Sequence, residues 1–331
     1  MADFNNGLAV NGPLTISDEV TASVHFGSVV KAIIDDCSRH TDGGAWRKQC
    51  QGKSWFTETL GGEVWIGQQA SIAAAWSAAN SLPGAVFQAT ATAGPLTSGK
   101  FYVATSATTA TEVFRGISRD YPDAVLWVAE ASRVVGYDMT KPGYPMWVVF
   151  TATSSKNWWG SSSTITSLGI KDGYLVVTSS ASGTREVGFA ADTLNARLNS
   201  ISTRPIGDVA TRNAAVTWGG TSLPAIVSNA VNDVAITVLD TAPTDPATGL
   251  PVPTIAVATA SSVSVIKDNG TVVNIGTANQ QLTVSLIGSV MFVSGVNVSN
   301  LGIWKCPDVT AASPVVTNYY ATSISALVST P

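Results

Sequence analysis

Charge is what this sequence has least of. Only 12% of its 331 residues are Asp, Glu, Lys or Arg, about half the share of an ordinary soluble domain. The 18 basic and 22 acidic residues leave a formal net charge of -4, and the basic ones form no block. Phosphate neutralisation needs clustered Lys and Arg, so nucleic acid is excluded as a main partner. Long hydrophobic runs are also missing. None approaches the roughly 20 residues of a membrane span, and no membrane insertion is expected. The opening MADFNNGLAV lacks a charged stretch followed by an apolar one, so a Sec signal peptide is not expected and synthesis in a cytoplasm is. Three cysteines, Cys37, Cys50 and Cys306, are too few and odd in number for a disulfide framework. Cys37, His40 and Cys50 lie close in sequence, but a zinc site wants four ligands and nothing pairs with Cys50 at finger spacing. Buried or half-buried thiols are the stronger reading, and neither metal nor other cofactor is expected. With two histidines, His25 in a strand-like stretch and His40 beside Asp42, general acid–base chemistry has little to draw on.

What fills the space is Ala, Val, Thr, Ser and Gly, within a 45% hydrophobic chain. Thr and Val favour strands, and Gly supplies turns. The apolar share is too high for long disordered tails. GLAVNGPLTIS alternates Leu8, Val10, Leu14 and Ile16 around an Asn-Gly turn, a strand-turn-strand signal. The β-branched run ending in VVKAIIDDC favours a strand over Val20–Cys37. Trp46, Trp55, Phe56 and Trp65 then supply aromatic surface around Asp42–Leu60. Ala70, Ala73, Ala74 and Ala75, with Ile72 and Trp76 four apart, predict a helix within Gln69–Asn80, stopped by Asn80, Pro83 and Gly84. AVFQATA and GKFYVATS read as two strands joined through Gly94-Pro95.

A recurring unit follows. LWVAEASRVVGYD begins at Leu126, LVVTSSASGTREVGFA at Leu175, IAVATASSVSVIKDNG at Ile255 and MFVSGVNVSNLGIWK at Met291. Each is an apolar strand, a small-residue turn and a second strand. Propeller blades recur at about 40 to 50 residues, and stacking sheets radially buries faces that one sheet leaves bare. The longest interval, between Leu175 and Ile255, holds Thr193–Ile201 and Leu223–Leu239, both partly helical in spacing, and is expected to carry a small helical insertion. The Pro-rich stretch Asp240–Pro253 should be exposed. KDG at Lys171–Gly173 and KDNG at Lys267–Gly270 predict hairpin corners. The expected fold is mainly β: an N-terminal docking region (1–84), a connecting strand pair (85–120) and a β-propeller-like or multi-sheet body (121–331). An open β sandwich is the alternative.

Few motifs point to chemistry. Gly94-Pro-Leu-Thr-Ser-Gly99-Lys100-Phe101 matches a phosphate loop up to its last position, but Phe101 stands where Ser or Thr must hold magnesium, and strand-like residues follow. A hairpin turn fits better. No GxSxG or HExxH occurs. Glycoside hydrolysis needs two carboxylates across a cleft. The candidates are Asp120, Asp123, Glu130, Asp138, Asp172 and Glu186. Most lie at turns, where Asp caps backbone, and Glu130 and Glu186 lie in or beside strands. Trp158 and Trp159, adjacent in the polar segment SSKNWWGSSS, are candidates for a subunit interface, a cap on a sheet end or a glycan contact.

The sequence resembles bacteriophage virion tail proteins of the fibre, spike or tail-assembly type. The likeness rests on DGGAWRKQCQGKSWFTETL (42–60), GKFYVATSATTATEVFRG (99–116), AVLWVAEASRVVGYDMTKPGYPMWVVF (124–150), ITSLGIKDGYLVV (165–177) and DPATGLPVPTIAVATASSVSVIKDNGTVVNI (245–275). It implies a structural rather than enzymatic protein of the virion, with an N-terminal attachment segment and a propeller-like body. It implies other tail proteins and further copies of the chain, as a trimer or hexamer, for partners. A host surface glycan or receptor is the expected external ligand. It carries no catalytic residue, cofactor or metal. Alternatives of other classes are a propeller-type polysaccharide depolymerase, relying on Glu130 and Glu186, and a glycan-binding module.

Overall fold

The computed structural model describes residues 13–17, 23–38, 46–48, 65–79, 81, 85–113, 120–142, 144, 146–151, 163–200, 222–275, 280–296 and 300–323. Two units divide the chain, Met1–Ser161 with Gly207–Val216 and Ser162–Ile206 with Thr217–Pro331. Among the described residues there are five sheets and one α-helix. The fold is mainly β, as expected.

The first unit holds β1 (Pro13–Ser17), β2 (Ser23–Asp36), β3 (Trp65–Gln69), α1 (Ile72–Ala78), β4 (Ala85–Ala89), β5 (Phe101–Ala104), β6 (Ala110–Val113), β7 (Ala124–Glu130), β8 (Arg133–Asp138) and β9 (Met146–Thr151). One sheet is ordered β1-β2-β7-β8-β9 and the other β3-β4-β5-β6. The expected strand before Cys37 is β2, and the expected helix is α1. Strands β3 and β4 are parallel, which requires a crossover, and α1 supplies it. Ser71 caps that helix by accepting a hydrogen bond from the Ala74 amide at 3.2 Å, relieving an orphan donor. Ile72 and Ala75 then pack on Phe87, Leu96 and Tyr102. The pair β4 and β5 is antiparallel, as its sequence predicts.

Trp46, Tyr121, Trp127, Trp147 and Phe150 form the aromatic core beside the first sheet. Trp46 and Tyr121 lie 5.1 Å apart, and Tyr121 meets Trp147 edge-on at the same separation. The Tyr121 hydroxyl, fully buried, donates to Asp35 Oδ2 at 2.6 Å and accepts from Trp127 Nε1 at 3.2 Å. These contacts correct the expected boundaries. β2 pairs along its length with β7, Ile33 opposite Trp127. A division at residues 120 and 121 therefore cuts through one sheet, and the N-terminal segment is not separate from the first recurring hairpin. The Asn11-Gly12 turn, Trp55 and Phe56 lie outside the described residues.

The second unit contains three four-stranded antiparallel meanders. The first is β10 (Ile165–Lys171), β11 (Tyr174–Ser179), β12 (Thr184–Gly188) and β13 (Thr193–Arg197). The second is β14 (Val231–Thr237), β15 (Thr254–Thr259), β16 (Val263–Ile266) and β17 (Val272–Ile275). The third is β18 (Gln280–Ile287), β19 (Val290–Val296), β20 (Asn300–Cys306) and β21 (Thr317–Ser323). This repetition of small stacked meanders is the propeller-like, multi-sheet arrangement the recurring sequence unit predicts. Each recurring segment is the central hairpin of a sheet: β7–β8, β11–β12, β15–β16 and β19–β20. The expected helical insertion is not found: Thr193–Arg197 and Val231–Thr237 are the strands β13 and β14. Their β-branched and alternating residues outweigh a partial helical period once neighbouring strands are present to pair with.

Alternation along β15 explains how the sheets stack. Ile255 and Val257 face Val176, Ile226 and Val234 of one cluster, while Ala256 and Ala258 face Val284, Met291, Val293 and Cys306 of the next. Consequently every residue of β15 is buried. The first strands of the three meanders, β10, β14 and β18, pack side by side. Gly169 permits the approach of β10 to β14, since a Cβ there would sit 3.2 Å from Ile236 Cγ2. Asp233 links all three strands: its Oδ1 accepts from the Ser167 hydroxyl of β10 at 2.6 Å and its Oδ2 from the Val284 amide of β18 at 3.1 Å. Beside it, Asn232 donates to the Gln281 carbonyl at 2.6 Å and Thr166 to the Val231 carbonyl at 2.8 Å.

Hydrogen bonds to a charged acceptor are worth about 1.5–3 kcal/mol each, and an amide left unpaired costs more. Asp233→Ala is therefore expected to lower unfolding stability by about 2–4 kcal/mol, and Ser167→Ala by about 1 kcal/mol. Urea denaturation of the purified chain measures both.

Candidate functional site

The strands of the first meander carry polar residues where a buried sheet would ordinarily be apolar. On one face of β11–β13, Tyr174, Thr184, Glu186, Asn195 and Arg197 are brought together by the register that sets Glu186 opposite Asn195 and Thr184 opposite Arg197. Glu186 has no solvent exposure and Arg197 almost none, and Arg197 Nε lies 2.7 Å from Glu186 Oε1. The second carboxylate oxygen accepts from the Tyr174 hydroxyl at 3.2 Å and Asn195 Nδ2 at 3.3 Å, while Thr184 Oγ1 donates to Oε1 at 3.3 Å. Arg197 also donates to the Pro224 carbonyl at 3.2 Å. A desolvated ion pair survives only when its remaining hydrogen-bonding capacity is used, and here neighbouring strands use it.

The electrostatics follow from burial. Loss of water pushes the Tyr174 phenol well above its ordinary range, the nearby Glu186 adds to that shift, and Arg197 opposes it. Arg185, on the opposite face of β12, is pushed down to about 10 by burial, with Glu186 opposing. Its Nη1 donates to the Ser182 and Thr184 carbonyls.

Above this network lies a cavity of about 430 Å³. Three segments enclose it. The first is the turn between β10 and β11, where Asp172 and Gly173 both have positive φ, as a two-residue hairpin corner requires. The second runs from Gly188 to Asn195 and the third from Asp245 to Pro253. This third segment was expected to be simply exposed, but it folds on itself. Asp245 Oδ1 accepts from the Ala247 amide, Oδ2 from the Thr248 hydroxyl, and the Asp245 amide donates to the Leu250 carbonyl at 2.8 Å. It thereby presents Leu250, Pro251, Val252 and Pro253 as an apolar wall. Asn195 lies in the lining. With Nδ2 committed to the carboxylate, its Oδ1 is buried and accepts no hydrogen bond.

The residues singled out from sequence fare differently. Trp158 and Trp159 lie outside the described residues, as do His40 and Cys50. Cys37 is buried, and its thiol donates to Asp35 Oδ2 at 3.6 Å. His25 is opposite Thr15 in the β1–β2 pair. Gly94–Phe101 is a turn, with a bridge between Ala93 and Leu96, leading into β5. The strand-borne carboxylates each have a cationic partner of their own. Glu130 takes two bonds from Arg133, at 2.6 and 3.1 Å, and Glu186 is held by Arg197. Asp123 pairs with Arg47, Asp138 with Lys141 and Asp172 with Lys171. Asn195 and Arg197 escaped sequence reasoning. The available signal was polar alternation in TLNAR facing polar alternation in TREVG, which only pairing makes meaningful.

No family model matches the chain, and no curated protein matches it. Among solved structures, it shares 14% identity and a TM-score of 0.30 with BBS1N in a complex with ARL6DN, over 67% of this chain and 58% of that one. A computationally designed protein, Ika8, gives 9% and 0.31 over 72% and 74%. Hsv2 of Kluyvelomyces marxianus gives 8% and 0.28 over 73% and 86%. Likeness this distant says nothing of ligand or partner.

Removing one member of a buried ion pair strands the other, at about 3–5 kcal/mol. Arg197→Met is expected to destabilise by that amount. Adding Glu186→Leu should restore much of the loss, as a double-mutant cycle by thermal unfolding would register.

Raised phenol values also fix an alkaline response. Tyr121, like Tyr174, is raised chiefly by burial, with Asp35 next. Unfolded tyrosine ionises at about pH 10. Below that pH the contribution of each group is fully present, and above it the unfolded state loses protons that the folded state keeps, so stability falls. Two of the seven tyrosines should therefore stay unionised in ultraviolet titration until the chain unfolds, and Tyr174→Phe should remove one. Arg185 acts in the opposite sense, since its charge is disfavoured in the fold until pH rises through about 10.

Proposed function

We propose that this chain is a structural subunit of a bacteriophage tail, a fibre, spike or tail adaptor that works in virion assembly and host attachment. The observation that carries this reading is the outer face of the third meander. Its inner face packs Val284, Met291 and Val293 on the neighbouring sheet. Its outer face sets Thr283 opposite Ser294, Ser285 opposite Phe292 and Ile287 opposite Val290, and continues through Ile303 and Lys305 of β20. Ile287 is 67% exposed and Ile303 40%. Lys305 is the one charged residue in these rows, and its ammonium lies 5.9 Å from the centre of the Phe292 ring. A sheet face of hydroxyls and aliphatic groups suits burial against another subunit better than permanent contact with water. The low overall charge and the likeness to tail proteins agree with it. The partners are further copies of the chain, as trimer or hexamer, and other tail proteins within the virion.

Depolymerisation of glycan is less well supported. It requires a carboxyl group free to give up a proton beside a second carboxylate, whereas Glu130 and Glu186 are each tied to an arginine. A non-catalytic glycan-binding role is the second reading, favoured by the cavity at Asn195.

Light scattering on the purified chain should return a trimer or hexamer. Ile287→Lys with Ile303→Lys should weaken self-association by at least about tenfold while leaving the melting temperature near its original value, because exposed positions rarely carry stability. Gold-labelled antibody should decorate the tails of virions. A stable monomer without affinity for tail proteins overturns the proposal.

A further inference from the structure

We infer that the cavity of the first meander is a binding site for one neutral sugar ring, with a sugar hydroxyl donating to Asn195 Oδ1. The inference gives chemical content to the glycan-binding reading and does not depend on assembly. Asn195 is only 6% exposed, and its two amide functions are used unequally. Nδ2 donates to Glu186 Oε2 at 3.3 Å and approaches the Tyr174 hydroxyl at 3.5 Å. Oδ1 accepts nothing, and a buried acceptor without a donor is costly. The amide cannot simply turn round, because its oxygen would then face the Glu186 carboxylate. The buried ion pair with Arg197 fixes that carboxylate. Asn195 is thus a pre-oriented acceptor in the lining of an open cavity.

The remaining lining selects the ligand class. Leu250, Val252 and Pro253 offer an apolar wall, and the Thr193 side chain lies in the same lining. A sugar ring matches both, with C–H groups on its faces and hydroxyls on its edge. Charge argues for a neutral ring. Two carboxylates, Asp172 and Asp245, stand in the lining against one cation, Lys171, which pairs with Asp172 at 2.9 Å. An anionic ligand meets net repulsion. A cation gains little, since both Asp245 oxygens already accept bonds within their own loop. At about 430 Å³ the cavity falls within the span of roughly 300–1,000 Å³ typical of small-molecule sites. It has room for one ring and its substituents.

Saturation-transfer NMR on the full chain tests this. Glucose, galactose, mannose and N-acetylglucosamine are offered singly at about 20 mM, with N-acetylneuraminic acid as the anionic comparison; affinity is expected near the ~1 mM scale. At least one neutral sugar should receive saturation, and the acid should not. Asn195→Leu should weaken binding by roughly tenfold or more. Ala191→Phe narrows the cavity without touching the Glu186 network, and should do the same with the melting temperature unchanged, so the test stands even if the first variant fails to fold. Thr241→Ala, outside this cavity, should change nothing. The site is overturned if no neutral sugar binds, if Ala191→Phe binds as well as the original chain, or if the acidic sugar binds equally. Each of those outcomes leaves the light-scattering test of assembly untouched.

Discussion

The sheet β14–β17 is covered on both faces by its neighbours, and that double burial sets the terms for the rest of the second unit. A strand buried on one side alternates apolar and polar residues; one buried on both sides has no position at which charge is cheap. β15 and β16 accordingly read TIAVAT and VSVI, with no ionisable side chain and every position buried. Small residues on one face let the next sheet approach, and larger ones on the other fill the space. The scarcity of charge that marks the whole sequence therefore has a local cause as well as a surface one. Sheets stacked in this way use residues that an open, half-solvated sheet would give to Lys and Glu.

Against this background the few interior charges stand out by position. Asp233 accepts hydrogen bonds from the first strands of two flanking sheets, so one side chain fixes the relative level of three meanders. Glu186 and Arg197 hold adjacent strands of one meander in a single register, since a shift by one residue would put both on the opposite face and leave each without its partner. Such groups contribute little net stability compared with apolar replacements of like shape. Their value lies in excluding alternatives, which uniform strands of Val, Ala and Thr would otherwise permit. The first unit uses a different device, an aromatic cluster ordered around Tyr121 and Asp35.

Much of the architecture was legible in the sequence. The segments beginning at Leu126, Leu175, Ile255 and Met291 stand out because central hairpins are the most apolar and have the tightest turns. KDG and KDNG mark corners for the same reason. The flanking strands were harder to read. β13 and β14 carry Asn, Arg and Asp at positions whose partners lie on other strands, so their pattern looks partly helical until pairing is known. Joining β2 to β7 depends on contacts far apart in the chain, which no local window contains. At the candidate site Glu186 was visible as a strand-borne carboxylate, but its use was not. Its arginine lies on β13, and the asymmetry of Asn195 arises only from three-dimensional contacts.

The loop from Asp245 to Pro253 is held in shape largely by its own bonds, from the Asp245 carboxylate and between backbone groups such as Asp245 and Leu250. It supplies one wall of a cavity whose floor belongs to strands locked by a buried ion pair. Scaffold and wall are thus mechanically separate. Residues at the loop's exposed turn, Pro246 and Ala247, can vary over generations without loosening the sheets beneath, whereas change at Glu186 or Arg197 is punished by unfolding. A lineage under pressure to recognise new surfaces would find its raw material in that loop, and would keep the strands below it fixed.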